Sequence, residues 1–287
     1  MKTKMKYAII IFVVLITQSC SNEKIENDWT RNNLQGKVLS YSEFSYKAEN
    51  RFGNVVKGKR KRKSKWLSDI QKKYNEKGNQ VESNRYNSDG SLNIKFTYKY
   101  NEKGNQVEFN RYNSDGSLNN KATYKYNEKG NQVESNSYNS DGSLGNKSIS
   151  KYNEEGNVVE ENLYYSDGSL NIKFTYKYNE KGNQVEFNSY NSDGSLNNKV
   201  TYKYNEKGNQ VESNRYNSDG SLIGKRTYKY DEKGNKIESN WYNSDGSLDS
   251  KTTRKYEFDK QGNWLMRIDS EDEIPNFILE REYEYYD

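Results

Sequence analysis

Residues 92–126, LNIKFTYKYNEKGNQVEFNRYNSDGSLNNKATYKY, decide the fold. Apolar side chains alternate at Leu92, Ile94, Phe96, Tyr98 and Tyr100, the two-residue period of a strand with one face buried. N-E-K-G follows at Asn101–Gly104, and a second alternating segment carries Val107 and Phe109. N-S-D-G at Asn113–Gly116 then turns the chain again. Glycine supplies the positive φ that ends such a turn, and Asn or Asp tolerates the positions before it.

Outward from this stretch the pattern repeats. Gly78, Gly104, Gly130, Gly156, Gly182, Gly208 and Gly234 fall every 26 residues, and Gly90, Gly116, Gly142, Gly168, Gly194, Gly220 and Gly246 keep the same period. Each unit holds two turns and two strands, the signature of a hairpin array. Register decides which face each side chain joins. A three-residue loop with a glycine bulge would set Val107 opposite Lys99. Loops of two or four residues set Phe109 opposite Tyr98 or Phe96, and burial favours them. The two-residue register also pairs Lys99 with Glu108 across the strands. We expect one aromatic and aliphatic face and one Lys/Glu/Asn/Thr face.

Composition agrees with a thin sheet. Only 31% of the 287 residues are hydrophobic and 30% are charged, too polar for a thick core. The 27 tyrosines and the strict period exclude a disordered chain. The expected fold is all-β: an elongated, coiled antiparallel β-meander of 26-residue repeats with terminal caps. Residues 34–69 are degenerate repeats forming an N-terminal cap, 70–248 the regular array and 249–287 a C-terminal cap. Within the array, 92–144 and 170–222 differ only at Arg111/Ser189, Ala122/Val200 and Ser137/Arg215, an offset of 78 residues. A recent duplication of three repeats accounts for that; the alternative is a superhelix with three repeats per turn.

The N-terminus gives an address. Lys2, Lys4 and Lys6 precede the short apolar run Tyr7–Ile16, the layout of a signal peptide over residues 1–19. Cys20, the single cysteine, stands just after the run, as in the lipobox of bacterial lipoproteins. That resemblance implies cleavage before Cys20, acylation of its thiol (by palmitate or a similar chain) and attachment to a membrane by lipid rather than by a span. Residues 20–33 then read as a lipidated polar tether, and the expected location is the cell envelope, as an outer-membrane or surface lipoprotein.

The net charge is +5, of which three positive charges lie in the signal peptide. The remainder gives no reason to expect nucleic acid. Seven cations crowd one stretch: Lys57, Lys59, Arg60, Lys61, Arg62, Lys63 and Lys65. Such a run is either a solvated hairpin edge or a patch for acidic headgroups or glycans.

Tyr228-Lys-Tyr230-Asp231-Glu-Lys-Gly234-Asn235 resembles the Y-x-Y-D-x-x-G-N core of YD repeats in RHS proteins. Tyr164-Tyr-Ser-Asp167-Gly168 is similar to MORN-like repeats of the YwqK type. The resemblance covers about residues 34–287 and implies curled β shells, some of which enclose toxins. No self-cleaving core segment or toxin domain is visible here, so toxin delivery is not expected.

Catalysis finds little support. The chain has no histidine, which removes the commonest general base, and with one cysteine it offers no Cys–His pair. Glu82 and Glu108 recur on the solvated face. The N-S-D-G-S turns lack the spaced acidic ligands of a calcium loop. We expect no enzyme, no metal and no cofactor. The best candidate site is the column Tyr86, Tyr112, Tyr138, Tyr164, Tyr190, Tyr216 and Tyr242, one ring on every second strand and roughly 10 Å apart. Placed on the polar face, it suits stacking on a glycan, with Asn84 or Asn110 as hydrogen-bond partners. The plain alternative is sheet packing, since tyrosine is a good strand residue. Three functions fit: an anchored scaffold binding a glycan or protein, an immunity-like accessory of a toxin locus, or a spacer with no ligand.

Overall fold

The structure, a computed structural model, describes residues 27–60 and 69–287. One four-residue helix, α1 (Asp28–Arg31), precedes nineteen strands. β1 (Val38–Arg51), β2 (Asn54–Arg60), β3 (Asp69–Tyr74) and β4 (Gln80–Tyr86) open the chain. The repeats supply β5 (Leu92–Tyr100), β6 (Gln106–Asn113), β7 (Leu118–Tyr126), β8 (Gln132–Asn139) and β9 (Leu144–Tyr152). They continue through β10 (Val158–Tyr165), β11 (Leu170–Tyr178), β12 (Gln184–Asn191), β13 (Leu196–Tyr204) and β14 (Gln210–Tyr216). The last five are β15 (Leu222–Tyr230), β16 (Lys236–Asn243), β17 (Leu248–Phe258), β18 (Trp264–Glu271) and β19 (Ile274–Tyr285).

The turn chemistry differs from the expected even loops. Asn101 N–H donates to the Asn105 carbonyl at 2.9 Å, and Gly104 N–H to the Asn101 carbonyl at 3.0 Å. This is the three-residue loop with glycine at φ +81°. Alone it would put Val107 against Lys99. A second irregularity cancels the slip: Tyr100 lies opposite Gln106 and Lys99 opposite Glu108, so Val107 is an extra, bulged residue. The N-S-D-G end repeats the device, with Tyr112 opposite Leu118 and Arg111 opposite Asn120. The expected pairs Lys99–Glu108 and Tyr98–Phe109 therefore form, by another route.

The bulges beside the N-E-K-G turns are stitched by tyrosines. The Tyr126 hydroxyl donates to the Gln106 carbonyl at 2.6 Å, and Tyr152, Tyr178, Tyr204 and Tyr230 make the same bond to the backbone twenty residues earlier. Position 158, a valine, accepts as well as glutamine because only its carbonyl is used.

The expected coiled strip is corrected by how its ends meet. Every strand from β3 to β18 pairs antiparallel with its successor, and β1 pairs with β19 along one edge and with β3 along the other. β2 folds back on the far half of β1. The result is a closed antiparallel barrel of eighteen strands, β1 and β3–β19. The two caps are therefore not the ends of an elongated array: they pair with each other, Val38–Lys47 against Tyr285–Phe277. Closure removes the exposed edges that an open strip would present.

Stagger accompanies closure. Thr97 faces Asn110, and Asn110 faces Lys121 rather than Thr123, the residue 26 after Thr97. The register slips by two residues in each repeat, which tilts the strands as a barrel requires.

Phe96, Tyr98, Tyr100 and Phe109 face inward. Phe96 and Tyr98 pack on Phe109 with ring centroids 5.7 and 5.5 Å away. Burial pushes the inner tyrosines Tyr98, Tyr124 and Tyr176 above the ordinary phenol range. Yet most inner rings are only half-buried; Tyr74, Phe174 and Tyr176 are the buried rings of the array among the described residues. An eighteen-stranded wall encloses more space than its side chains fill. Dense apolar packing sits instead at the seam, where Leu34, Val38, Tyr41 and Tyr74 cluster with Trp29, Tyr283 and Tyr285.

Residues 27–36 cross one mouth, over the N-E-K-G turns. Within the expected tether, α1 is docked: the Asp28 carboxylate accepts from Gln80 N–H at 2.7 Å and from the Tyr100 hydroxyl at 2.9 Å. The Trp29 indole donates to the Val38 carbonyl at 2.8 Å. Further along, Gln35 N–H donates to the Asn263 side chain at 2.8 Å.

Candidate functional site

The outer wall is a lattice of paired charges. Glu108 accepts from Lys99 at 2.8 Å and from Lys121 at 2.6 Å, and the Asn110 amide donates to it at 2.9 Å. Those bonds hold the Glu108 carboxyl down at about 2. Glu134, Glu160, Glu186 and Glu212 repeat the arrangement and are also held at about 2. Carboxylates fixed in the ionised state lie far from the range that suits a general acid or base at neutral pH.

The tyrosine column stands on this outer face, as the register predicts. Tyr112 lies opposite Lys95, Tyr138 opposite Lys121, Tyr190 opposite Lys173 and Tyr242 opposite Lys225. The Lys225 ammonium sits 5.9 Å from the Tyr242 ring centre. The proposed polar partners are committed elsewhere. Asn84 and Asn110 are buried and donate to Glu82 and Glu108. The column is a row of half-buried rings among lysines, without the amides expected beside it.

The basic run is partly neutralised where it is described. Lys57 pairs with Glu280 at 2.9 Å, and Arg60 with Asp69 at 2.6 Å while covering the Phe44 ring. Lys59 is exposed. Lys61, Arg62, Lys63 and Lys65 lie outside the described residues, as does Cys20. In the N-S-D-G turns the Asp115 carboxylate accepts from Ser117 N–H and Oγ at 2.9 and 2.6 Å. Among the described residues no acidic cluster suits a metal.

A second constellation lies on the inner wall of β15–β18, and the sequence reading passed over it. Arg226 stacks on Trp241 at 3.9 Å, and the Lys236 ammonium lies 3.8 Å from the Tyr228 ring centre. Burial, with Arg254 and Arg226 nearby, pushes the Lys236 ammonium below its ordinary range. The Arg254 Nε is buried without a hydrogen bond, 3.6 Å from Asp269. Asp269 itself is buried and bonded to Arg267 at 2.8 Å. At the mouth beside these cations is a cavity of about 240 Å³, walled by Lys236, Tyr256, Phe258, Trp264, Asn32 and Asn33. One signal was present in the sequence. Arg226, Lys236 and Arg254 stand where the other repeats carry neutral residues, for example Phe96, Gln106 and Tyr98.

These features define a hollow barrel with a charged outer wall and an aromatic, basic inner one. No family model matches the chain, and no curated protein matches it in sequence. Among solved structures it is similar to a porin-like protein from Bacteroides uniformis, at 10% identity and a TM-score of 0.44, covering 87% of this chain and 99% of that one. A porin-like protein from Bacteroides vulgatus is similar at 12% identity and a TM-score of 0.40, covering 87% and 100%. The TcdB2–TccC3 complex matches at 11% identity and a TM-score of 0.29, over 73% of this chain and 15% of that one. Likeness this remote carries no residue across, so the site rests on its own geometry.

Proposed function

We propose that this chain is a lipid-anchored protein of the cell envelope that binds a glycan or protein ligand without catalysis. The observation that carries the reading is the contrast between the two faces of the wall. Outside, lysines and glutamates are paired, strand after strand. A barrel facing lipid would need an apolar band there, because a lysine at the bilayer midplane costs about 2–4 kcal/mol. The wall thus belongs in water, held to its membrane through acylated Cys20. Inside, rings and cations face an unfilled space, the make-up of a surface that receives a ligand.

Two measurements test the reading. Metabolic labelling with palmitate should mark the wild-type chain, and Cys20→Ala should abolish the label and release the protein from the membrane fraction. A glycan array probed with the full chain should show selective binding. Unchanged membrane attachment in Cys20→Ala would refute the anchor. An empty array together with no captured protein partner would leave only a spacer.

A further inference from the structure

Beside the cavity at the mouth the copied pattern is broken on the inner wall at several neighbouring positions. Position 236 in the other repeats is Gln106, Gln132, Gln184 or Gln210, with Val158 as the exception. Position 226 corresponds to Phe96, Ala122, Ser148, Phe174 and Val200, and position 254 to a tyrosine in most copies. Three neutral side chains have become Arg226, Lys236 and Arg254, on the adjacent strands β15, β16 and β17, where burial first and the two arginines after it disfavour the charge on Lys236. Among the described residues no carboxylate lies within ion-pair distance of Lys236 or Arg226; Asp269 is shared between Arg254 and Arg267.

Like charges gathered in a half-buried site cost stability unless an anion relieves them. Neutral residues occupy these positions in the other repeats. Arg254 has the buried Asp269 beside it and Arg226 the Trp241 ring, whereas Lys236 lines the cavity with no carboxylate within ion-pair distance among the described residues. The cavity limits the size of such an anion. At about 240 Å³ it is smaller than a drug-sized site. Tyr256, Phe258 and Trp264 supply apolar wall, Asn33 supplies an amide and Lys236 supplies the charge, while the Asn32 amide is held by the Asp28 carbonyl. Rings for the flat faces of a sugar, an amide for a hydroxyl and one cation for an acid make a consistent set.

We propose that this mouth cavity binds a single carboxylated sugar residue, its carboxylate on Lys236 with Arg226 and Arg254 behind, its ring against Tyr256 and Trp264. The proposal deepens the glycan reading above by naming the chemical class and the place. It moves the site from the outer tyrosine column to the inner end of β16 and β18.

Calorimetry on the full chain in detergent tests it, using glucuronate, galacturonate and N-acetylneuraminate against glucose, galactose and acetate. At least one carboxylated sugar should bind at least tenfold more tightly than every neutral sugar and than acetate. Lys236→Gln, which restores the residue of the other repeats, should weaken that binding at least tenfold while leaving the melting temperature equal or higher. Tyr112→Ala on the outer wall should leave it unchanged. Absence of binding by all three acids overturns the proposal. Equal binding of acetate, or full affinity in Lys236→Gln, overturns it too. A neutral glycan bound through Tyr112 would sink this site yet keep the broader reading, whereas unchanged membrane attachment in Cys20→Ala would do the reverse.

Discussion

The extra residue that Val107 adds to β6 breaks the ladder beside Gln106, and the Tyr126 hydroxyl fills the gap at 2.6 Å. A carbonyl left without that donor loses a bond worth about 1 kcal/mol, more if it is desolvated. Tyr126→Phe keeps the ring and removes only the donor. It should lower stability by about 1 kcal/mol in urea unfolding; a change below the error of the measurement would show that water replaces the hydroxyl. The outer glutamates make a prediction about pH. Glu108, Glu134, Glu160, Glu186 and Glu212 have folded-state values near 2, below the ordinary 4.5. A depressed carboxyl stabilises the fold fully above its unfolded value and loses that contribution as pH falls toward the folded one. Inner tyrosines act at the other end. Tyr126, Tyr152, Tyr178 and Tyr202 are pushed up to about 12, so their contribution is whole below 10 and declines between 10 and 12. The melting temperature should run flat from about pH 5 to 10 and fall on both sides. A curve that stayed level from pH 5 to 2 would mean the lysine–glutamate lattice adds nothing.

At the scale of the element, glycines with the same φ do different work. Gly116 has φ +83° and open space where a Cβ would stand, so Gly116→Ala meets only the cost of a left-handed backbone, roughly 1 kcal/mol. Gly78 has φ +80°, but an added Cβ would come 2.6 Å from the Trp29 ring. Gly78→Ala should therefore cost more than Gly116→Ala and also lift α1 from the mouth. Hydrogen exchange at Trp29 and Leu34 reads this out: their amides donate to Gly78 and Trp29 carbonyls at 3.2 and 2.8 Å. Equal exchange in both variants would show that α1 stays docked despite the clash. The same elements show what could be read beforehand. The segregation of Tyr98 from Lys99 follows from a two-residue period, and the Lys99–Glu108 pair from that period with an even register. The loop did not, because its three-residue turn and the Val107 bulge are two errors of register that cancel. The position of the outer tyrosines was legible, whereas the commitment of Asn110 to Glu108 and Thr97 required the third dimension. Arg226, Lys236 and Arg254 were visible as departures from the repeat, but nothing in one dimension places Trp264 and Asn33 beside them.

For the whole molecule, closure is the feature that the repeats do not encode by themselves. It depends on β1 and β19, which lie outside the regular array and meet only when the number of intervening strands and their stagger return the sheet to its start. Each repeat contributes two strands and two residues of slip. The ratio of stagger to strand number, which sets the tilt, is therefore the same whatever the number of repeats. Excising residues 118–143 joins Ser117 to Leu144, one copy of the unit to the next, and leaves sixteen strands with the same ratio. The contacts that fasten α1, at Gly78, Gln80, Tyr100 and Asn263, all lie outside the excised segment. The shortened chain should fold as a monomeric closed barrel whose diameter is smaller by about a ninth, since diameter grows nearly in proportion to strand number. X-ray scattering measures the diameter, and size-exclusion chromatography the association state. An open sheet would expose the edges of β3 and β19 and associate through them. Aggregation of the sixteen-strand chain, with the full-length protein monomeric under the same conditions, would show that closure is tuned to eighteen strands rather than inherited from the repeat.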